Sequence, residues 1–300
     1  MKRPFRVCVL TLTALALTAT PALAAKQMRG TTTDDVINGK ARADFIMALG
    51  GRDRIRGFGG DDKIYGGNGD DVVYGDDGND WITAQPGTDW VDGGNGNDKI
   101  DGGSGDDELY GSDGDDILAA NVGNDVLYGG AGNDLLGGND GDDRLFGGDG
   151  TDKQIGGAGN DWIDGGPGDD GAIQGGAGND VLIDGEGHDW LVKGDEGDDT
   201  VFLGPGADKV FSEQGNDAIY VLPDGFVDKI RCDDGTQENG TADAVYFVGW
   251  RDPLDVVDPF GSCEIVEVIS ALPANWPYGP VTMPDGGLLT LRTAGTDLPR

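Results

Sequence analysis

The sequence predicts an all-β fold, a right-handed parallel β-roll in which two nine-residue units close each 18-residue coil, and three observations carry that prediction. An aspartate recurs every ninth residue from Asp35 to Asp217, through about 20 cycles with two single-residue slips. The fourth position of the unit is Gly in 19 of the 22 units that can be laid out from Gly30. The eighth position is Ile, Leu or Val in 20 of them, with Gln154 and Ala172 as the exceptions. Written in full, the unit is G-G-x-G-x-D-x-U-x with U a large aliphatic, as in Gly66-Gly67-Asn68-Gly69-Asp70-Asp71-Val72-Val73-Tyr74. A repeat this short cannot bury its apolar face alone, so neighbouring units must stack to make a core.

Residues 1–24 read as a secretory signal peptide: Lys2, Arg3 and Arg6, an apolar run from Val7 to about Ala19, then the small residues of Ala22-Leu23-Ala24. The run is too short to anchor the chain, since spanning a bilayer needs roughly 20 apolar residues. The expectation is a secreted, extracellular protein with no transmembrane anchor. Losing three basic residues takes the formal charge from −35 to −38. Such a charge repels nucleic acid and anionic membranes.

Residues 25–231 form the repeat region. In each unit the x-U-x triplet after a glycine-rich turn is expected to form a strand of minimal length, with U pointing inward. Coils then hydrogen-bond to one another at a spacing of about 4.8 Å, and residues 18 apart stack. Glycine at positions one, two and four admits a bland reading, flexibility, and a sharper one, a positive-φ turn whose carbonyls face the next turn without a Cβ between. Fixed spacing from the aspartate favours the second. Single-residue insertions at Gln174 and Lys193, and a two-residue one at Val221-Leu222, are expected to bulge or bend the stack. An acidic, glycine-rich chain can also be disordered, but disorder gives no reason to hold an aliphatic at constant offset from an aspartate.

One aliphatic per unit is a thin core against the entropy of ordering nine residues. Stacked carboxylates about 5 Å apart also repel unless a cation lies between them. Oxygen-only ligands, carboxylate and carbonyl with no Cys or His, select a hard cation of flexible coordination. That is Ca²⁺ rather than Zn²⁺ or Mg²⁺.

The nonapeptide resembles the calcium-binding repeat of the repeats-in-toxin (RTX), or hemolysin-type, family over residues 30–231. The resemblance implies a calcium-binding turn from the first six residues and a strand from the last three. It also implies Ca²⁺ ions between turns of alternate units, held by sixth-position carboxylates and turn carbonyls. One ladder of implied ligands is Asp53, Asp71, Asp89, Asp107, Asp125, Asp143 and Asp161; the other is Asp62, Asp80, Asp98, Asp116, Asp134, Asp152 and Asp170. Asp180, Asp189, Asp199, Asp208 and Asp217 complete the 19 turns that carry both Gly and Asp, which enclose at most about 17 ions. Asp35, Asp44 and Asp228 lack the fourth-position Gly and are weaker candidates. The chain departs from many members in having an N-terminal signal rather than a C-terminal one, and no catalytic or pore-forming domain; it resembles a free-standing secreted roll.

With Cys8 in the signal peptide, Cys232 and Cys263 remain, and an even pair in an oxidising compartment reads as a disulfide. A metal reading of the pair lacks a Cys-x-x-Cys or a nearby His. Residues 232–267, with Asp243-Ala244-Val245, Asp255-Val256-Val257 and Cys263-Glu264-Ile265-Val266, resemble the ending of secreted bacterial calcium-binding proteins of this type. They are expected to form degenerate coils capped by the disulfide. Residues 268–300 are a Pro-rich tail with a short strand expected near Leu288 to Arg292.

His188 is the lone histidine and falls at the variable fifth position of a turn, which excludes His-based triads and HExxH zinc sites. Carboxylate pairs alone would allow an enzyme acting on acidic polysaccharide, but the repeat already accounts for them and the coil is too narrow for a cleft. No catalytic residue is assigned. The ninth positions Tyr74, Asp92, Tyr110, Tyr128, Phe146, Asp164, Ile183, Phe202 and Tyr220 make an outward ladder rich in aromatics. Its rings either pack on one another or under the tail, or stand exposed to grip a glycan or cell-surface component. Trp81, Trp90, Trp162 and Trp190, at seventh positions, allow the same two readings.

Overall fold

The computed structural model describes residues 27–232 without a break, then 243–249, 251, 253, 255–257, 263, 265–269, 272–273, 275–277, 281–282 and 288–289. The expected signal peptide and residues 290–292 of the expected tail strand lie outside the described residues.

Among the described residues two parallel sheets of 13 strands each face one another, and the chain alternates between them. The first runs from Gln27–Arg29 through Phe45–Gly50 and Lys63–Asn68 to Val256–Val257; the second runs from Val36–Ala41 through Arg54–Gly59 to Ile265–Ile269. Each regular strand pairs with the strand 18 residues away, as Leu109 with Leu127 and Tyr110 with Tyr128. No helix occurs among the described residues.

Within a unit, positions six, eight and one turn inward, so Asp125, Leu127 and Gly129 are buried while Val126 and Tyr128 face outward. The aliphatics of the two sheets meet in a single row that includes Ile100, Leu109, Leu118, Leu127 and Leu136. The row is one side chain thick.

Strands are longer than the expected triplet. Most have six residues, such as Val72–Asp77 and Val126–Ala131, and extend through the first three positions of the following turn. In-register stacking lets the ladder persist past a left-handed residue at the second position. Glycine often occupies it, but Leu49, Gln85 and Ser112 are held there at φ of 87°, 82° and 82°, a region that disfavours any residue with a Cβ.

Both single-residue insertions fall earlier than the sequence placed them. Ile173 pairs with Gln154 and is fully buried, so the extra residue precedes it and Gln174 is in register with Ile155. Val192 likewise pairs with Ile173 and is buried, while Trp190 is 75% exposed. The side chain that fits the core, not the residue count, sets the register. Val221 still pairs with Leu203, so the third insertion lies beyond it in the turn.

At the C-terminal end, Ala244–Val248 stacks on Ala218–Val221, and Ile265–Ile269 stacks on Ala244–Val248. The expected Cys232–Cys263 disulfide is present, with its Cα atoms 5.2 Å apart. Leu272 and Trp276 of the tail cover the outer face of the second sheet, packing with Ile183, Phe202 and Val248. Val281–Thr282 pairs antiparallel with Leu288–Leu289.

The aromatic ladder therefore divides. Phe202 lies under the tail, 5.9 Å from the Trp276 ring. Tyr110, Tyr128 and Phe146 stack with ring centroids 4.7 and 5.0 Å apart, and Trp90 fills the gap at Asp92 by bridging Tyr74 and Tyr110.

Candidate metal centres

Each coil brings two turns to opposite edges of the roll, and the sixth-position aspartates stack in two ladders. The backbone N–H of one aspartate donates to Oδ1 of the aspartate in the next coil, at 2.6–3.2 Å from Asp35 through Asp255. The first ladder joins Asp53, Asp71, Asp89, Asp107, Asp125, Asp143, Asp161, Asp180, Asp199 and Asp217; the second joins Asp62, Asp80, Asp98, Asp116, Asp134, Asp152, Asp170, Asp189 and Asp208. Both continue beyond the regular repeats, to Asp243 and through Asp228 to Asp255.

The second carboxylate oxygen has a different fate. In all 19 turns Oδ2 is buried without a hydrogen-bond donor. It faces the first residue of its own turn, where a Cβ on Gly156 would lie 2.2 Å from Asp161 Oδ2 and one on Gly175 would lie 2.2 Å from Asp180 Oδ2. The Ser212 hydroxyl lies beside Asp217, and the Asp184 carboxyl beside Asp208.

Backbone carbonyls crowd the same turns. At the fourth position a Cβ on Gly150 would sit 1.5 Å from Gly132 O, and one on Gly105 would sit 1.8 Å from Gly87 O. Only glycine fits there, which is the sharper of the two readings of the repeat.

Burial pushes these carboxyls up, neighbouring aspartates add to the rise, and the donated backbone N–H only partly offsets it. Asp71 is raised to about 6, Asp107 to about 7, and Asp89, Asp98, Asp170 and Asp199 to about 8. The ladder is built for negative charge that the protein itself does not compensate.

The first two turns are closed differently. Thr31 donates its N–H at 2.6 Å and its hydroxyl at 2.9 Å to Asp35 Oδ2. Arg42 stands where glycine is usual, and its Nε lies 3.6 Å from Asp44 Oδ1. In the first turn protein donors take the part that a cation would take elsewhere; in the second, Arg42 brings a positive charge close without hydrogen-bonding either Asp44 oxygen. Asp228 is fully embedded in its ladder and raised to about 8, although its turn lacks the fourth-position glycine.

A second ladder went unread in the sequence. The fifth-position backbone N–H donates to the fifth-position side chain of the preceding coil, as Asn97 to Asn79 at 2.7 Å and Asp142 to Asn124 at 2.8 Å. The signal was the Asn or Asp at most fifth positions. His188 joins this row: its own N–H donates to Asp169 Oδ1, and its Nδ1 accepts from the Ala207 N–H, both at 2.9 Å.

Parallel coils whose turns stack buried carboxylates against glycine carbonyls define a cation-binding β-solenoid, and the donors are oxygen throughout, as a hard ion requires. The family profile for the RTX calcium-binding nonapeptide repeat, a block of four copies, matches the chain in ten overlapping or abutting stretches between residues 29 and 219. The chain belongs to this family, and its cofactor is Ca²⁺. No curated protein is matched by the chain. Orphaned carboxylate oxygens at every regular turn fit that ion.

Proposed function

We propose that this chain is a secreted calcium-binding protein whose roll folds on Ca²⁺ binding and then serves outside the cell as a structural or interaction module. Residues 1–24 direct export, 25–231 form the roll, 232–267 cap it and 268–300 are the tail. The 19 aspartates from Asp53 to Asp217 supply the carboxylate ligands. The supporting observation is their buried Oδ2 row, which no protein donor satisfies. Oxygen-rich sites of extracellular modules work near 10⁻⁴–10⁻³ M, so the chain stays unfolded where Ca²⁺ is scarce and folds after export. It does no catalysis in this reading. Circular dichroism at neutral pH during a Ca²⁺ titration tests it: β signal should rise with the ion, and a full β signal in excess chelator would overturn it.

A second reading makes the roll an adhesin or glycan-binding module. It is favoured by the place of Tyr110, Tyr128 and Phe146 on the outer face of the second sheet, outside the cluster that the tail covers, although these rings also pack on one another. Tyr110→Ala with Tyr128→Ala should then abolish binding to extracellular polysaccharide while calcium-driven folding persists. Binding retained by that double variant removes the reading.

A further inference from the structure

Most turns place glycine at the first position, where the missing side chain leaves room for Oδ2 of the same turn's aspartate. The turn ending at Asp189 instead carries Asp184 in that slot, fully buried. By the geometry of the repeat, Asp189 Oδ2 faces Asp184. A carboxylate oxygen from each of Asp184, Asp189 and Asp208 lies within 4.8 Å of the others, and among the described residues this is the one group of three potential metal-ligating side chains.

The individual oxygens say what the group lacks. Asp184 Oδ1 accepts the Gly204 N–H at 2.6 Å, and Asp189 Oδ1 accepts the Asp170 N–H at 2.8 Å. Asp189 is 3% exposed and Asp208 2%, and the Oδ2 of each is buried with no hydrogen-bond donor. Among the described residues no lysine or arginine forms an ion pair with either. Three buried carboxyls in so small a volume cannot all be ionised without a cation among them, and calcium affinity rises with the number of charged ligands.

We infer that Asp184, Asp189 and Asp208 form a three-carboxylate cation site that binds a divalent ion more tightly than the two-carboxylate turns around it and fills first as the roll loads. The inference rests on the calcium reading above and adds a ligand and an order of filling. Loading then begins in the C-terminal third of the repeat region, beside the two bulged coils.

The test is calcium titration calorimetry on the full chain, comparing the unaltered protein with Asp184→Gly and Asp184→Asn. Glycine is the residue most turns carry in this slot, so the first variant keeps the fold; asparagine keeps an acceptor for the Gly204 N–H while removing the charge. The unaltered chain should show one ion bound about tenfold or more tighter than the rest. In both variants that ion should weaken to the affinity of the remaining sites, with the same total of bound ions and the same β signal at saturating calcium. A tight ion retained in either variant, or a single class of sites in the unaltered chain, overturns the inference. A chain that binds no calcium at all overturns the proposed function instead.

Discussion

Asp107 and Asp35 hold the same place in the repeat and face opposite surroundings. Asp107 is 2% exposed, its Oδ2 has no donor, and burial pushes its carboxyl up to about 7. Asp35 Oδ2 is already met by the backbone and hydroxyl of Thr31. Asp107→Asn should therefore lower the number of bound ions by about one or two, since it borders two gaps between coils, and raise the calcium needed for folding. Asp35→Asn should leave the ion count unchanged. Equilibrium dialysis of both variants checks the pair. The sequence marked Asp35 as the weaker of the two through Thr33 at its fourth position, but the hydroxyl that satisfies it comes from a neighbour no repeat rule names. Asp184 was likewise unread, because a carboxylate at the first position is an exception to the pattern and acquires meaning only beside Asp189 and Asp208.

At the scale of the strand, the eighth position decides stability because it supplies the one-residue-thick core. Gln154 is the exception the sequence flagged, and it is fully buried in Lys153–Ala158. Its Nε2 donates to Asp164 O at 2.7 Å, while its Oε1 is buried without a partner. Gln154→Leu restores the aliphatic row and removes the orphaned oxygen at the cost of one hydrogen bond, for a net gain of about 1 kcal/mol. Denaturant unfolding at saturating calcium should show a higher midpoint; a lower one would mean that the bond to Asp164 O outweighs the burial. Ala172 was flagged with Gln154 for the wrong reason. Ile173 takes the inward place because the bulge falls before it, and a nine-residue count cannot see where an extra residue is accommodated.

For the whole molecule, the shifted carboxyls fix the sign of the pH dependence. A carboxyl whose folded pKa lies above its unfolded value, near 3.9, favours the fold when protonated. That stabilisation is complete below pH of about 4 and is lost as pH rises through the folded values, about 6 for Asp71 and about 8 for Asp89. Metal-free protein should accordingly gain β signal as pH falls from about 8 to about 5. Calcium-loaded protein should respond in the opposite sense over the same window, because protons displace the ion from its ligands. Thermal melts followed by circular dichroism in the two conditions separate these outcomes, and metal-free stability that rises with pH would refute the account.

The sequence by itself determined the roll, its 18-residue register, the inward aliphatic row, the two aspartate ladders and the choice of a hard oxygen-loving cation. All of these are periodic, and a period of nine with one aspartate, one aliphatic and a fixed glycine leaves few ways to stack. Tertiary structure decided what is not periodic: the reach of strands into the turns, the place of each bulge, the tail over Phe202, the Thr31 donors that close the first turn and the Arg42 charge beside the second. It also turned Asp184 inward against Asp189 and Asp208, a contact that a repeat rule expecting glycine in that slot does not name. Local pattern specifies a repeated contact once for every unit, whereas a contact made once depends on which side chains the finished stack happens to bring within reach.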